Sequence, residues 1–144
     1  MSTQDELIER LIPSDFRMLS GCEDAQTSAD VSNTANFQLP DPAGRSGGAC
    51  TSALLQVLYK DHKDTAKDLS FHQVLSKVRG VLQEGGYSQI PQLTASRKVE
   101  LKAPFHIVPP GNKTGIKRAL LIGINYTGQK GALTGCHYDV LNVR

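Results

Sequence analysis

An almost unbroken apolar run, Ala119, Leu120, Leu121, Ile122, Gly123 and Ile124, constrains this chain more than any other feature. Such a run predicts a central strand of a parallel sheet, covered on both faces, because a half-exposed strand would alternate instead. Lys117 and Arg118 give it a solvated start. A second strand is expected over residues 16–22, where a short apolar run ends at Gly21 and Cys22. Residues 105–108 read as a third, short strand. Residues 90–101 contain Pro91 and qualify at best as an edge strand.

Helices alternate with these strands. Ala49, Ala53, Leu54, Val57 and Leu58 form a helical stripe entered through Gly47 and Gly48. Ser70 and Gln73 make a capping box for a helix over residues 70–84. Phe71, Val74, Leu75, Val78 and Leu82 supply its buried face, and Gly85 and Gly86 end it. A last helix begins at Cys136, with Val140 and Val143 apolar. Strands mixed with helices argue an α/β fold. Residues 23–48 are polar and read as one long loop, of a length that is usually either functional or disordered. The strand count is low and the last helix lacks a cap, so the chain is expected to be part of a larger unit.

Charge divides the chain. Residues 1–111 hold 11 basic and 13 acidic side chains, a balance of −2, whereas residues 112–144 hold 5 basic and 1 acidic, a balance of +4. The change falls on a Pro- and Gly-rich connector at 109–117. Four segments are therefore expected: 1–15, 16–108, the connector 109–117, and 118–144. A formal net charge of +2 is too weak to argue for nucleic acid. No apolar run approaches the length of a membrane span. Acidic residues at positions 5, 6 and 9 exclude a secretory or transit signal. The 3 Cys are widely spaced with no CxxC, which excludes a disulfide framework and fits a reducing, cytoplasmic setting.

Candidate chemistry is sparse. Cys22, Cys50 and Cys136 could each be a nucleophile if a neighbouring His or helix terminus promoted the thiolate. The more ordinary reading of each is a small buried hydrophobe. The histidines show no H-x-x-x-H spacing, so a metal site is unsupported. Residues 122–128 follow an expected strand and precede a helix, where a phosphate loop would lie, but their glycines match neither common nucleotide-binding spacing. Asp139 lies in the first turn of the last helix. It either complements the helix dipole or places a carboxylate at a strand-end crevice able to bind a cation. Gln26, Ser28 and Asp30 belong to a dense set of short polar side chains. These residues either hold their own loop or grip a substrate backbone.

Several stretches together resemble the metacaspases. ALLIGINY at 119–126 and ALTGCHYDV at 132–140 are similar to the opening of the metacaspase large subunit. SGCEDAQTSAD at 20–30, GACTSA at 48–53 and QIPQLTASR at 89–97 resemble the small subunit. The resemblance covers residues 16–144 and places the small-subunit block first, as in type III metacaspases. It implies a caspase-like three-layer α/β sandwich with a mainly parallel sheet, incomplete in this chain. It also implies a calcium-dependent cysteine endopeptidase that cuts peptide or protein substrates after Arg or Lys. The His–Cys dyad motifs, SGHG and DxCHSG, are absent here, and both they and the calcium ligands are expected beyond Arg144. No catalytic residue is therefore assigned in this chain. The partner it needs is the remainder of the large subunit.

By the same resemblance, the G-C-x-x-D pattern assigns Cys136 to the wall of the substrate pocket and Asp139 to the substrate's basic side chain. Tyr138 departs from the family, which often has Asn there. Gln26, Ser28 and Asp30 would border the cleft. Lys113, Lys117 and Arg118, in or beside the connector, are self-processing candidates. Two rival readings remain open: a non-catalytic caspase-like scaffold or regulatory module, and a small nucleotide-binding α/β module.

Overall fold

The computed structural model describes residues 3–39, 46–62, 68–108 and 114–143. In chain order these form α1 (Thr3–Leu11), β1 (Arg17–Ser20), β2 (Asp30–Val31), a 3-10 turn (Thr34–Phe37), β3 (Gly47–Gly48), α2 (Ala49–Val57), a π-helical turn (Leu58–His62), α3 (Phe71–Glu84), β4 (Gln92–Ala95) and α4 (Cys136–Val143).

Helix α3 follows the local code closely. Ser70 Oγ accepts from the Gln73 N–H at 3.2 Å and Gln73 Oε1 accepts from the Ser70 N–H at 2.8 Å, which satisfies two otherwise orphaned donors. At its far end the chain turns through Gly86 at φ 78°, a conformation that suits glycine. Helices α2 and α3 pack together and hold the core. Ala49, Ala53, Leu55 and Val57 meet Val74, Val78 and Leu82, with Val31, Phe37 and Leu39 closing one end. The stripe on α2 buries Leu55 more deeply than Leu54.

Two small ladders stand beside this pair. β1 and β4 are antiparallel, with Arg17 opposite Ala95 and Ser20 opposite Gln92. β2 and β3 are antiparallel, with Asp30 opposite Gly48 and Val31 opposite Gly47. Arg79 locks α3 to the approach of β4 by donating from Nε and Nη2 to the Pro91 carbonyl, at 3.0 and 2.7 Å. Arg97 reaches the carbonyls of Ile12, Pro13 and Ser14 and ties down the link between α1 and β1.

The expected strand at 16–22 is present over Arg17–Ser20. Three expectations need correction. Residues 119–124 are irregular rather than a strand, and Leu120 is 83% exposed. A parallel strand has no hairpin partner of its own and needs neighbours brought by crossover connections; among the described residues none pairs with this run. Residues 105–108 are likewise not a strand, although Pro104 bridges to Ser70 and Phe105 N–H donates to Leu69 O at 2.7 Å. The polar stretch 23–48 is not plain loop. It contains β2, the 3-10 turn and β3, which together carry one wall of the site. Of the connector, residues 109–113 lie outside the described set, and 114–117 are irregular and exposed.

Candidate functional site

A pocket of about 230 Å³ opens where the β2–β3 ladder, the start of α2 and the start of α4 meet. Gly21, Ser28, Ala29, Asp30, Gly48, Ala49, Cys50, Thr51, Leu133, Cys136 and Asp139 line it. Its two walls come from distant parts of the chain, and three sets of contacts join them.

First, Asp139 in the first turn of α4 turns its carboxylate onto the backbone at the β3–α2 junction. The Gly48 N–H donates to both oxygens, at 3.1 Å to Oδ1 and 2.9 Å to Oδ2. Second, Asp30 Oδ2 accepts from the Thr134 N–H at 3.0 Å and from Thr134 Oγ1 at 3.1 Å. Third, Gly135 packs directly on the backbone of Gly47, so closely that a Cβ there would overlap it. The helix start is shaped locally. Asn125 Oδ1 accepts from the Cys136 N–H at 3.0 Å, and Asn125 O accepts from the Leu133 N–H at 2.8 Å. The residues of the 122–128 loop therefore fill the α4 terminus with the chain's own amide, where a phosphate reading would need an open cradle.

The electrostatics follow from this packing. Burial pushes the Asp139 carboxyl up to about 6; the Gly48 N–H opposes that rise and the nearby Asp30 charge adds to it. Asp139 faces no Lys or Arg side chain among the described residues, and no lining residue is a cation. Burial, then the charges of Cys22 and Asp139, push the Cys50 thiol up to about 11. Burial, then Asp139 and Asp30, also raise the Cys136 thiol. Both thiols are therefore protonated near neutral pH, and neither suits a nucleophile. Cys22 lies beside the pocket, donating from Sγ to Gln26 O at 3.3 Å and accepting from Ser28 Oγ at 3.4 Å.

The structure thus brings Asp139, Cys136, Ser28 and Asp30 together at one opening. Gln26 is not among the lining residues; its side-chain amide binds the backbone of Ser88 and Ile90. Lys117 and Arg118 are exposed in irregular backbone, and Lys113 lies outside the described residues. Sequence reasoning misses Gln89, a 3% exposed side chain that bridges Gly21 and Ala29. Its only signal is its place at the start of QIPQLTASR. Gly47 and Gly48 read as a helix entry in the sequence, and nothing there marks them as the platform for Asp139 and Gly135.

The family described as "Caspase domain" matches residues 3–101. Metacaspase III c of Phaeodactylum tricornutum is 57% identical over 133 residues, which is 92% of this chain and 39% of that protein. Metacaspase-3 of Trypanosoma cruzi is 39% identical over 94 residues, 65% of this chain and 24% of that protein. Metacaspase-5 of the same organism is 40% identical over 96 residues, 67% of this chain and 20% of that protein. The chain therefore spans two-fifths or less of the length of these curated relatives. Among the described residues no helix is long and apolar enough to cross a membrane.

Proposed function

The chain belongs to the caspase-domain family, with metacaspases as its relatives, and from this premise we propose that it carries the substrate pocket of a cysteine endopeptidase that cleaves after Arg or Lys. One observation carries this reading: a half-buried carboxylate, Asp139, with a second carboxylate, Asp30, at the same opening and no cation among the lining residues. A guanidinium entering the pocket meets two acceptor oxygens in a bidentate geometry, and partial desolvation strengthens the pair. Cys136 and Leu133 supply apolar wall for the aliphatic stem of the side chain. Ser28 and Asp30 border the cleft.

The peptide-cleaving dyad is proposed to come from sequence beyond these 144 residues, with the small-subunit block leading in the type III order. Calcium dependence is proposed on the same terms. Among the described residues no three His, Cys, Asp or Glu side chains are arranged to hold a metal ion. The described residues do not fit calcium, and its ligands are proposed to lie elsewhere in the protein. Self-processing is proposed at Lys113, Lys117 or Arg118, of which Lys117 and Arg118 are exposed and irregular.

The direct test titrates this chain with argininamide, using norleucinamide as the uncharged-tail control. Saturable binding of argininamide alone is expected, and Asp139→Asn should weaken it by about tenfold or more, the loss of a charge-assisted pair. Binding needs the ionised carboxylate, so affinity should rise as pH increases through about 6. Equal binding of both amides, or an unaffected Asp139→Asn, would refute the pocket reading. For the whole protein, the transcript beyond the Arg144 codon should encode SGHG and then DxCHSG. A stop codon there would turn the reading to a non-catalytic scaffold.

A further inference from the structure

We propose that Gln26 and Gln89 form a reciprocal amide clasp that positions Asp139, acting through the backbone of Ala29, Ala49 and Gly48. The proposal rests on the pocket reading above and gives the two glutamines a positioning role, with no contact to substrate.

The geometry is mutual. Gln26 donates from Nε2 to Ser88 O at 2.6 Å and accepts at Oε1 from the Ile90 N–H at 2.7 Å, so its amide straddles Gln89. Gln89 accepts at Oε1 from the Ala29 N–H at 2.7 Å and donates from Nε2 to Gly21 O at 2.9 Å, so its amide spans the base of the loop that carries Gln26. Each side chain thus closes the backbone on either side of the other. A primary amide on a two-carbon stem is the group that does this. A carboxylate lacks the donor, an ammonium lacks the acceptor, and Asn is one carbon shorter.

The clasp continues into the pocket. Gly21 and Ala29, the two groups that Gln89 holds, are lining residues. Ala29 O accepts from the Ala49 N–H at 3.0 Å, and Asp30 pairs with Gly48 in the β2–β3 ladder. Gly48 N–H is the donor to Asp139. Thr134, the other anchor of α4, rests on Asp30. The two hydrogen-bonded attachments of the α4 wall therefore stand on backbone that the clasp fixes, beside the third, the packing of Gly135 on Gly47. Gln89 is buried, so its removal strands the Ala29 N–H and the Gly21 carbonyl without partners.

The test follows the Gly48 amide by NMR in the 144-residue chain, as Asp139 is titrated between about pH 4 and 8. In the unaltered chain the Gly48 resonance should move with the carboxylate, and Asp139→Asn should abolish that movement. Gln89→Ala and Gln26→Ala should each cut its amplitude to about half or less, since the N–H no longer holds the carboxylate in one geometry. The amides of the first two turns of α3, at the end opposite Gly85, should keep their positions, which separates loss of positioning from general unfolding. If Gln89→Ala does not fold, Gln26→Ala, with its half-exposed side chain, decides the matter. Full amplitude in the folded variants would overturn the clasp. No ligand enters this readout. Failure of argininamide to bind the unaltered chain would therefore remove the pocket reading alone, and the Gly48 amplitudes would still decide for or against the clasp.

Discussion

Helices α2 and α3 and the segment 114–143 both carry runs of aliphatic residues, and they dispose of them in opposite ways. In the helix pair the apolar positions recur with the helical period, so one face of each helix disappears into the other; Val78 and Leu82 are fully buried. In the segment the apolar residues are consecutive, with no face to turn inward, and Leu120 and Ile122 remain exposed. That segment attaches by polar and backbone contacts instead: Asp139 to Gly48, Thr134 to Asp30, and Gly135 against Gly47. One region is held by a core and the other by a docking seam, and the candidate pocket lies along the seam. Stability and recognition are therefore separable in this chain, and substitutions can address each alone.

The largest effect should come from the core. Leu82→Ala removes a fully buried side chain and should destabilise the chain by ~2–5 kcal/mol in a denaturant titration. A loss confined to the seam, with α3 intact, would contradict the division. Gly135→Ala attacks the seam itself. Its Cβ would overlap the Gly47 backbone, and the strain of overpacking should cost about 1–3 kcal/mol of docking. Loss of argininamide binding with little change in far-UV circular dichroism would sharpen the comparison; unchanged binding would break it. Leu120→Ser should be the smallest change, within about 0.5 kcal/mol, because the side chain is already in solvent. A cost of several kcal/mol would show that the run is covered in solution.

What can be read from the residues follows the same division. The capping box at Ser70 and Gln73 and the period of the apolar positions that follow are local signals, and α3 forms where they place it. The run at 119–124 is a local signal as well, but it states only that these residues suit a buried strand. Whether one forms depends on neighbours that a single stretch of sequence cannot supply. Helix α1 is not among the expected elements, although Leu7 and Leu11 recur with the helical spacing. Asp139 is ambiguous between helix-dipole partner and binding group until its surroundings are known, and resemblance to a family weights it. Gln89 is invisible because its partners, Gly21 and Ala29, lie about 60 residues or more away in the chain. Backbone groups carry no residue-specific signature at that range.

The seam also sets an order of events in folding. Gly48 and Asp139 are separated by 91 positions, and Asp30 and Thr134 by 104. The contacts of the α2–α3 hairpin close far shorter loops, and short loops close sooner because less chain entropy is lost before contact is made. A chain emerging from the ribosome would therefore complete the helical pair while the pocket still lacked the α4 wall that carries Asp139. The pocket proposed for a basic side chain would be completed only after the helical core, when residues 133–139 are released and dock. A nascent or internally cut chain would be folded in its core and blind at its pocket.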